Sequence, residues 1–130
     1  MSTILLSIKP EYSKRIFDGT KKYEYRKHIA QKEVNKIIVY SSSPEKKVIG
    51  EVAVDGIISM KKTPLWELTK NNAGISRKKY REYFSGCDMA YAYKLGEFTR
   101  YENPMELSDF GLYQAPQSFV YIDTQVLGCP

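Results

Sequence analysis

The sequence predicts an α+β fold: a curled or closed mixed sheet with about three helices packed beside it. Two observations point there. Roughly six short runs rich in β-branched and aromatic residues are interspersed with three amphipathic segments, in an order that lacks the regular alternation of a parallel sheet. The chain has 130 residues, an ordinary apolar fraction and no internal repeat or low-complexity tract, which suits one domain with a real core. Residues 1–123 are assigned to that domain and 124–130 to a loosely held tail.

Thr3 to Ile8 is a short apolar run and reads as a buried first strand. Pro10 suits the first turn of a helix and Gly19 its left-handed stop, with Tyr12 and Ile16 at helical spacing between them. The segment from Gly19 to Lys27 follows as a charged strand. Val34 to Tyr40 is β-branched and breaks at the polar turn Ser41-Ser-Ser-Pro44. Val48 to Met60 is a long strand in which Gly50 and Gly56 mark bulges or close backbone approach.

Thr63-Pro64 opens a second helix that ends near Asn71-Asn72. Ser76 caps a third, with Ile75 and Tyr80 placed as a hydrophobic staple, Tyr80, Tyr83 and Phe84 as its apolar stripe and Gly86 as its stop. Arg77, Lys78 and Lys79 fall in its first turn, where the helix dipole disfavours cations; they are either solvated or met by a phosphate. Met89 to Leu95 and Glu97 to Tyr101 read as two strands joined at Gly96. Residues 104–116 are irregular, and Ser118 to Asp123 forms the closing strand.

The chemistry-bearing signal is the run Gly-Thr-Lys-Lys-Tyr-Glu-Tyr-Arg-Lys from Gly19 to Lys27. On an ideal strand Lys22, Glu24 and Arg26 share one face, and Lys21, Tyr23, Tyr25 and Lys27 the other. A carboxylate flanked by bases is either a solvated ladder, contributing about 0–1 kcal/mol, or the lining of a polar cavity. Lys21 converges with Glu24 only if it sits in the turn before the strand begins; Lys22 is the substitute.

Charge is lopsided. Up to position 36, nine bases (Lys9, Lys14, Arg15, Lys21, Lys22, Arg26, Lys27, Lys32, Lys36) face four acids (Glu11, Asp18, Glu24, Glu33), which matches the formal +5 of the whole chain. Such a field favours a polyanionic partner. Cys87 and Cys129 lie in no Cys-x-x-Cys or Cys/His cluster, so neither a disulfide framework nor a metal site is expected, and no cofactor motif is visible. No apolar run reaches the roughly 20 residues of a membrane span, and the opening Ile4-Leu5-Leu6 is too short for a secretory signal, which points to the cytoplasm.

The pattern Gly19-x-Lys21-x-x-Glu24-x-Arg26 after a short helix resembles the signature of the ASCH family of the PUA-like superfamily. The opening Leu5-Leu6-Ser7-Ile8-Lys9-Pro10, the turn from Tyr40 to Pro44, the strand Val48-Ile49-Gly50-Glu51 and the late Ala115-Pro116-Gln117-Ser118-Phe119 resemble segments of that family in the same order. The resemblance runs from about residue 3 to 123. It implies a PUA-like small mixed β-barrel with flanking helices, and a cleft for RNA or modified nucleosides. Very small members hydrolyse acetylated cytidine with a lysine, a threonine and a glutamate. Lys21 falls at the lysine position, Glu24 stands where the threonine would, and the glutamate position falls near Ala73 or Gly74.

Three functions are therefore carried forward. The first is binding of RNA or a nucleotide-like ligand, with Lys9, Lys21, Arg26 and Lys27 for phosphate, Glu24, Ser42, Gln117 and Ser118 for base edges, and Tyr40 for stacking. The second is hydrolysis, of an acylated nucleoside or of RNA, through Lys21 and Glu24; His28 is the only imidazole available. The third is a protein-interaction module whose basic N-terminal surface meets an acidic partner. Oligomeric state is not legible.

Overall fold

A computed structural model describes residues 2–122. The expected tail over 124–130, Asp123 and Cys129 lie outside the described residues. The elements run β1 (Ser2–Ile8), α1 (Pro10–Phe17), β2 (Tyr23–Arg26), β3 (Val34–Ser41), β4 (Lys47–Lys61), α2 (Lys62–Thr69), α3 (Arg77–Tyr83), β5 (Met89–Met105) and β6 (Phe119–Ile122). Short 3-10 turns occupy Lys70–Asn72 and Leu107–Phe110.

All six strands belong to one sheet in the order β2-β5-β4-β3-β1-β6. Only β1 and β3 pair in parallel, with Leu5 opposite Ile38; the other ladders are antiparallel. The expected small mixed α+β class with three helices is what the chain adopts. The sheet curls without closing: β2 and β6 are its two edges, and among the described residues no ladder joins them. A side chain crosses the seam instead, because the Arg26 guanidinium on β2 donates to the Ser7 carbonyl on β1 at 3.0 Å.

The core explains the order of the strands. Ile4, Leu6 and Ile8 of β1 join Ile37 and Val39 of β3, Ile16 of α1 and Tyr93 of β5 inside the curl. The alternate residues Leu5, Ile38 and Tyr40 pack outward against Val48, Phe110 and Ile122. Both faces of β1 and β3 are thus covered, which is why these strands read as continuous apolar runs rather than alternating ones. A third cluster, with Leu65, Tyr80 and Phe84, sits under α2 and α3 against Tyr25 and Ala92.

Local signals set the helix ends. Pro10 occupies the first turn of α1 and Gly19 takes a φ of +84° just past it. The Ser76 hydroxyl accepts from Lys79 N at 3.1 Å as the cap of α3. Register shifts occur at Gly50 and Gly56, as their placement predicts.

Two expectations need correction. Met89 to Leu95 and Glu97 to Tyr101 are not two strands but parts of one, because β5 continues through Gly96 to Met105. Here the missing side chain serves a close approach: a Cβ on Gly96 would lie 2.5 Å from the Asp55 carboxylate on β4. The irregular stretch is also shorter than expected, since β5 includes Pro104 and Met105, and a reciprocal capping box between Glu106 and Asp109 orders the turn after it.

Candidate functional site

The charged segment divides at the point that matters chemically. The strand begins only at Tyr23, so Lys21 and Lys22 sit in the turn that enters it. That turn is clipped to the segment after α2: Lys22 N donates to Asn72 O at 2.9 Å and Arg15 Nη1 donates to Gly74 O at 2.9 Å. Lys21 consequently turns inward onto the side of Glu24, whereas Lys22 is exposed.

Lys21 is 4% exposed and Glu24 6%. Lys21 Nζ donates to the Ala73 carbonyl at 2.8 Å and lies 5.4 Å from the ring centre of Tyr12 and 5.0 Å from that of Tyr25. Burial pulls its pKa below the ordinary lysine value; Glu24 opposes that shift, and Arg15 and Arg26 reinforce it. Gly74 keeps the ammonium stem in place. Its φ of +64° is left-handed, and a Cβ there would fall 2.4 Å from Lys21 Cβ.

Glu24 Oε2 accepts from Nε of Arg26 at 3.0 Å and lies 2.9 Å from Nη2 in the same ion pair. Its other oxygen has no hydrogen-bond partner among the described residues yet is not sealed from solvent. A buried, charge-paired carboxylate with one oxygen free to accept is an arrangement suited to an N–H donor of a ligand.

These groups line a cleft of about 450 Å³. Tyr12 from α1, Tyr25 from β2 and Tyr83 from α3 supply aromatic walls. Tyr25 is anchored by its hydroxyl, 2.6 Å from Thr69 Oγ1, and burial raises its pKa. Burial also raises the phenol pKa values of Tyr12 and Tyr83. Lys9, Lys79 and Glu82 stand at the rim, where Lys79 also meets Glu11 at 3.4 Å. A neighbouring cavity of about 510 Å³ that Lys21 also lines is bordered by Gly19, Leu95 and Phe98, and among the described residues its ionisable groups form no ion pair.

The structure therefore brings Lys9, Lys21, Glu24 and Arg26 together. Lys27 lies just outside, with its ammonium 5.0 Å from the Tyr83 ring centre and its N–H donating to the Tyr83 hydroxyl at 3.3 Å. Tyr40 is not in the cleft: it is 6% exposed within the outward cluster around Val48 and Phe110, and so offers no face to a base. Ser42 is held by its N–H on the Ile8 carbonyl at 2.9 Å and does not line the cleft. Gln117 borders a separate depression with Leu112 and Tyr113, and Ser118 precedes β6. His28 is exposed and apart from Lys21 and Glu24. Sequence reasoning missed Tyr12 and Tyr83 as walls, having placed them on apolar helix stripes. The available signal was that each stripe also carries cations, Arg15 beside Tyr12 and Lys79 beside Tyr83.

Among the described residues no helix is long and apolar enough to cross a membrane, and no group of three or more His, Cys, Asp or Glu side chains is arranged to hold a metal ion.

Comparison with known proteins follows the same lines. The sequence profile of the ASCH domain matches residues 6–102. The chain is 30% identical over 121 residues to a Ureaplasma parvum protein named large ribosomal subunit protein uL22, and 31% identical over 121 residues to one from the same species named ATP synthase subunit alpha. Each match covers 92% of this chain but only 39% and 15% of those relatives' lengths, so the likeness is to one part of them. A Zymomonas mobilis protein named ASCH domain-containing ribonuclease is 30% identical over 122 residues, covering 91% of this chain and 82% of that one. The crystal structure of ASCH from Zymomonas mobilis superposes with a TM-score of 0.88 at 29% identity, over 97% of this chain and 93% of the other. A mutant of that protein gives 0.90 at 26% identity, over 98% and 94%.

Proposed function

This chain belongs to the ASCH domain family, and from that membership and the cleft's geometry we propose that it binds RNA or a nucleotide-like ligand around Lys21, Glu24 and Arg26. The observation that carries the reading is the half-satisfied Glu24 carboxylate lining the cleft, held on one oxygen by Arg26 and without a hydrogen-bond partner among the described residues on the other. An unstacked base fits such a place: its exocyclic N–H meets Glu24, its face meets a tyrosine wall, and the phosphates beside it meet Lys9 and Lys79 at the rim. The relative named as a ribonuclease supports an RNA ligand.

Binding of a short single-stranded RNA tests the reading. Affinity is expected to fall as salt rises, and to weaken about ten-fold or more when Arg26→Ala frees the Glu24 carboxylate from its orientation. Failure of RNA and nucleosides alike to bind or to shift the melting temperature would overturn it.

A second reading, hydrolysis, is favoured by one observation: burial lowers the proton affinity of Lys21 beside a carboxylate, which suits an acid/base or nucleophilic lysine. The resemblance puts the glutamate of the small acetylcytidine hydrolases near Ala73 or Gly74, and there this chain presents the Ala73 carbonyl to Lys21. Incubation with acylated cytidine, and separately with single-stranded RNA, decides the matter; product above that of a Lys21→Ala control supports hydrolysis, and none removes it.

A further inference from the structure

Helix α3 has two working flanks. At 100° per residue Lys79, Glu82 and Tyr83 fall on one side and line the cleft, while Arg77, Tyr80 and Arg81 fall on the other. That second flank borders a cavity of about 380 Å³ completed by Lys62 and Trp66 of α2, and none of its lining residues belongs to the cleft.

Its composition is one-sided. Lys62, Arg77, Lys78 and Arg81 have no carboxylate within salt-bridge distance among the described residues. Two acids lie near them. Glu67 feels Arg77 but is held by Lys70 at 2.8 Å, and Glu82 stands beside Lys78 and Arg81 on the crest of the helix. Lys62 Nζ is steadied by the Phe84 carbonyl at 3.3 Å, and the Tyr80 hydroxyl donates to Lys62 O at 2.7 Å. The half-buried indole of Trp66 lies 4.8 Å from the Tyr80 ring, tilted by 44°, and borders the same space. Arg77 also stands in the first turn, where the helix dipole works against a cation, so helix stability does not account for it.

The geometry points to a second RNA-contact site here: one strand crosses α3, placing a base in the Glu24 cleft on one flank and setting phosphates against Arg77, Arg81 and Lys62 on the other, with a second base against Trp66. Unpaired cations beside an aromatic face are what a single strand requires, since the cations track the backbone and the ring takes a base of any identity. This inference rests on the RNA reading of the cleft and adds to it that the ligand is a strand of several nucleotides rather than a free nucleoside.

The test compares a dinucleotide with an octanucleotide of single-stranded RNA, each titrated into the intact protein and into the double variant Arg77→Gln/Arg81→Gln at several salt concentrations. Both altered side chains are exposed, and the fluorescence of Trp66, the single tryptophan, reports the site independently. The octanucleotide is expected to bind the intact protein about ten-fold or more tightly than the dinucleotide, and to quench Trp66. The double variant loses that advantage while keeping its affinity for the dinucleotide. Its slope of log K against log salt becomes shallower by about 1.4, roughly 0.7 for each lost phosphate contact. Unchanged affinity and slope in the variant, or Trp66 quenching by an acidic peptide and not by the octanucleotide, would overturn the second site alone. Binding of neither RNA to the intact protein would overturn the cleft reading with it.

Discussion

Two carboxylate–cation pairs of the same sheet make opposite use of the same chemistry. Glu51 on β4 meets Lys36 on β3 at 3.2 Å on the outer surface, where water screens both. Glu24 meets Arg26 at 2.9 Å along β2, with Lys21 and three tyrosine rings around it. The first pair costs little desolvation, and its weak attraction is offset by side-chain ordering, so it contributes little. The second takes three charged groups out of water, and apolar residues of similar volume would serve stability as well or better. Stability therefore gives no reason for the second pair, which is what the proposed ligand site would supply and a solvated ladder would not.

The sharpest way to break the contrast is Glu24→Gln. It leaves buried Lys21 and half-buried Arg26 as cations without their anion, and an expected loss of about 3 kcal/mol of stability in chemical denaturation should accompany loss of ligand binding. Next is Gly74→Ala, which forces a side chain into a left-handed conformation and against Lys21 Cβ at 2.4 Å. A loss of about 2 kcal/mol is expected, together with weaker binding because the ammonium is displaced.

A third probe is pH. The Lys21 pKa lies below its unfolded value of 10.5 because burial penalises the cation. Between those two values the unfolded chain holds a proton that the folded one has released, so this group's contribution to stability rises with pH across that window, and its penalty is full below it. The stability of the wild type relative to Lys21→Met should therefore improve as pH is raised toward 10.5; a flat difference would mean Lys21 titrates as a solvated lysine. The smallest effect belongs to the surface pair: Glu51→Gln should change stability by no more than about 0.5 kcal/mol and leave binding untouched.

How much of this was legible depends on how local its cause is. Pro10, Gly19 and Ser76 act within a turn of themselves, so the helix ends could be read directly. Gly96 could not, because what occupies the place of its side chain is Asp55, on another strand. The same division holds for the site. Lys21, Glu24 and Arg26 lie within one short segment and were found together. Tyr12 and Tyr83 arrive from helices far apart in sequence, and only tertiary packing makes them walls of one cleft. Tyr40 shows a further limit: β3 is buried on both faces, so alternation carries no sign of which way a residue points.

The central claim is that the cleft at Glu24 receives a base. Nuclear magnetic resonance of the tyrosine rings during titration with a short single-stranded RNA tests it most directly, because the cleft walls and the surface each carry tyrosines. The account predicts that the rings of Tyr12, Tyr25 and Tyr83 shift while Tyr113, 91% exposed beside the separate depression at Gln117, stays where it was. Shifts confined to Tyr113, or none at the cleft rings at saturating RNA, would contradict it.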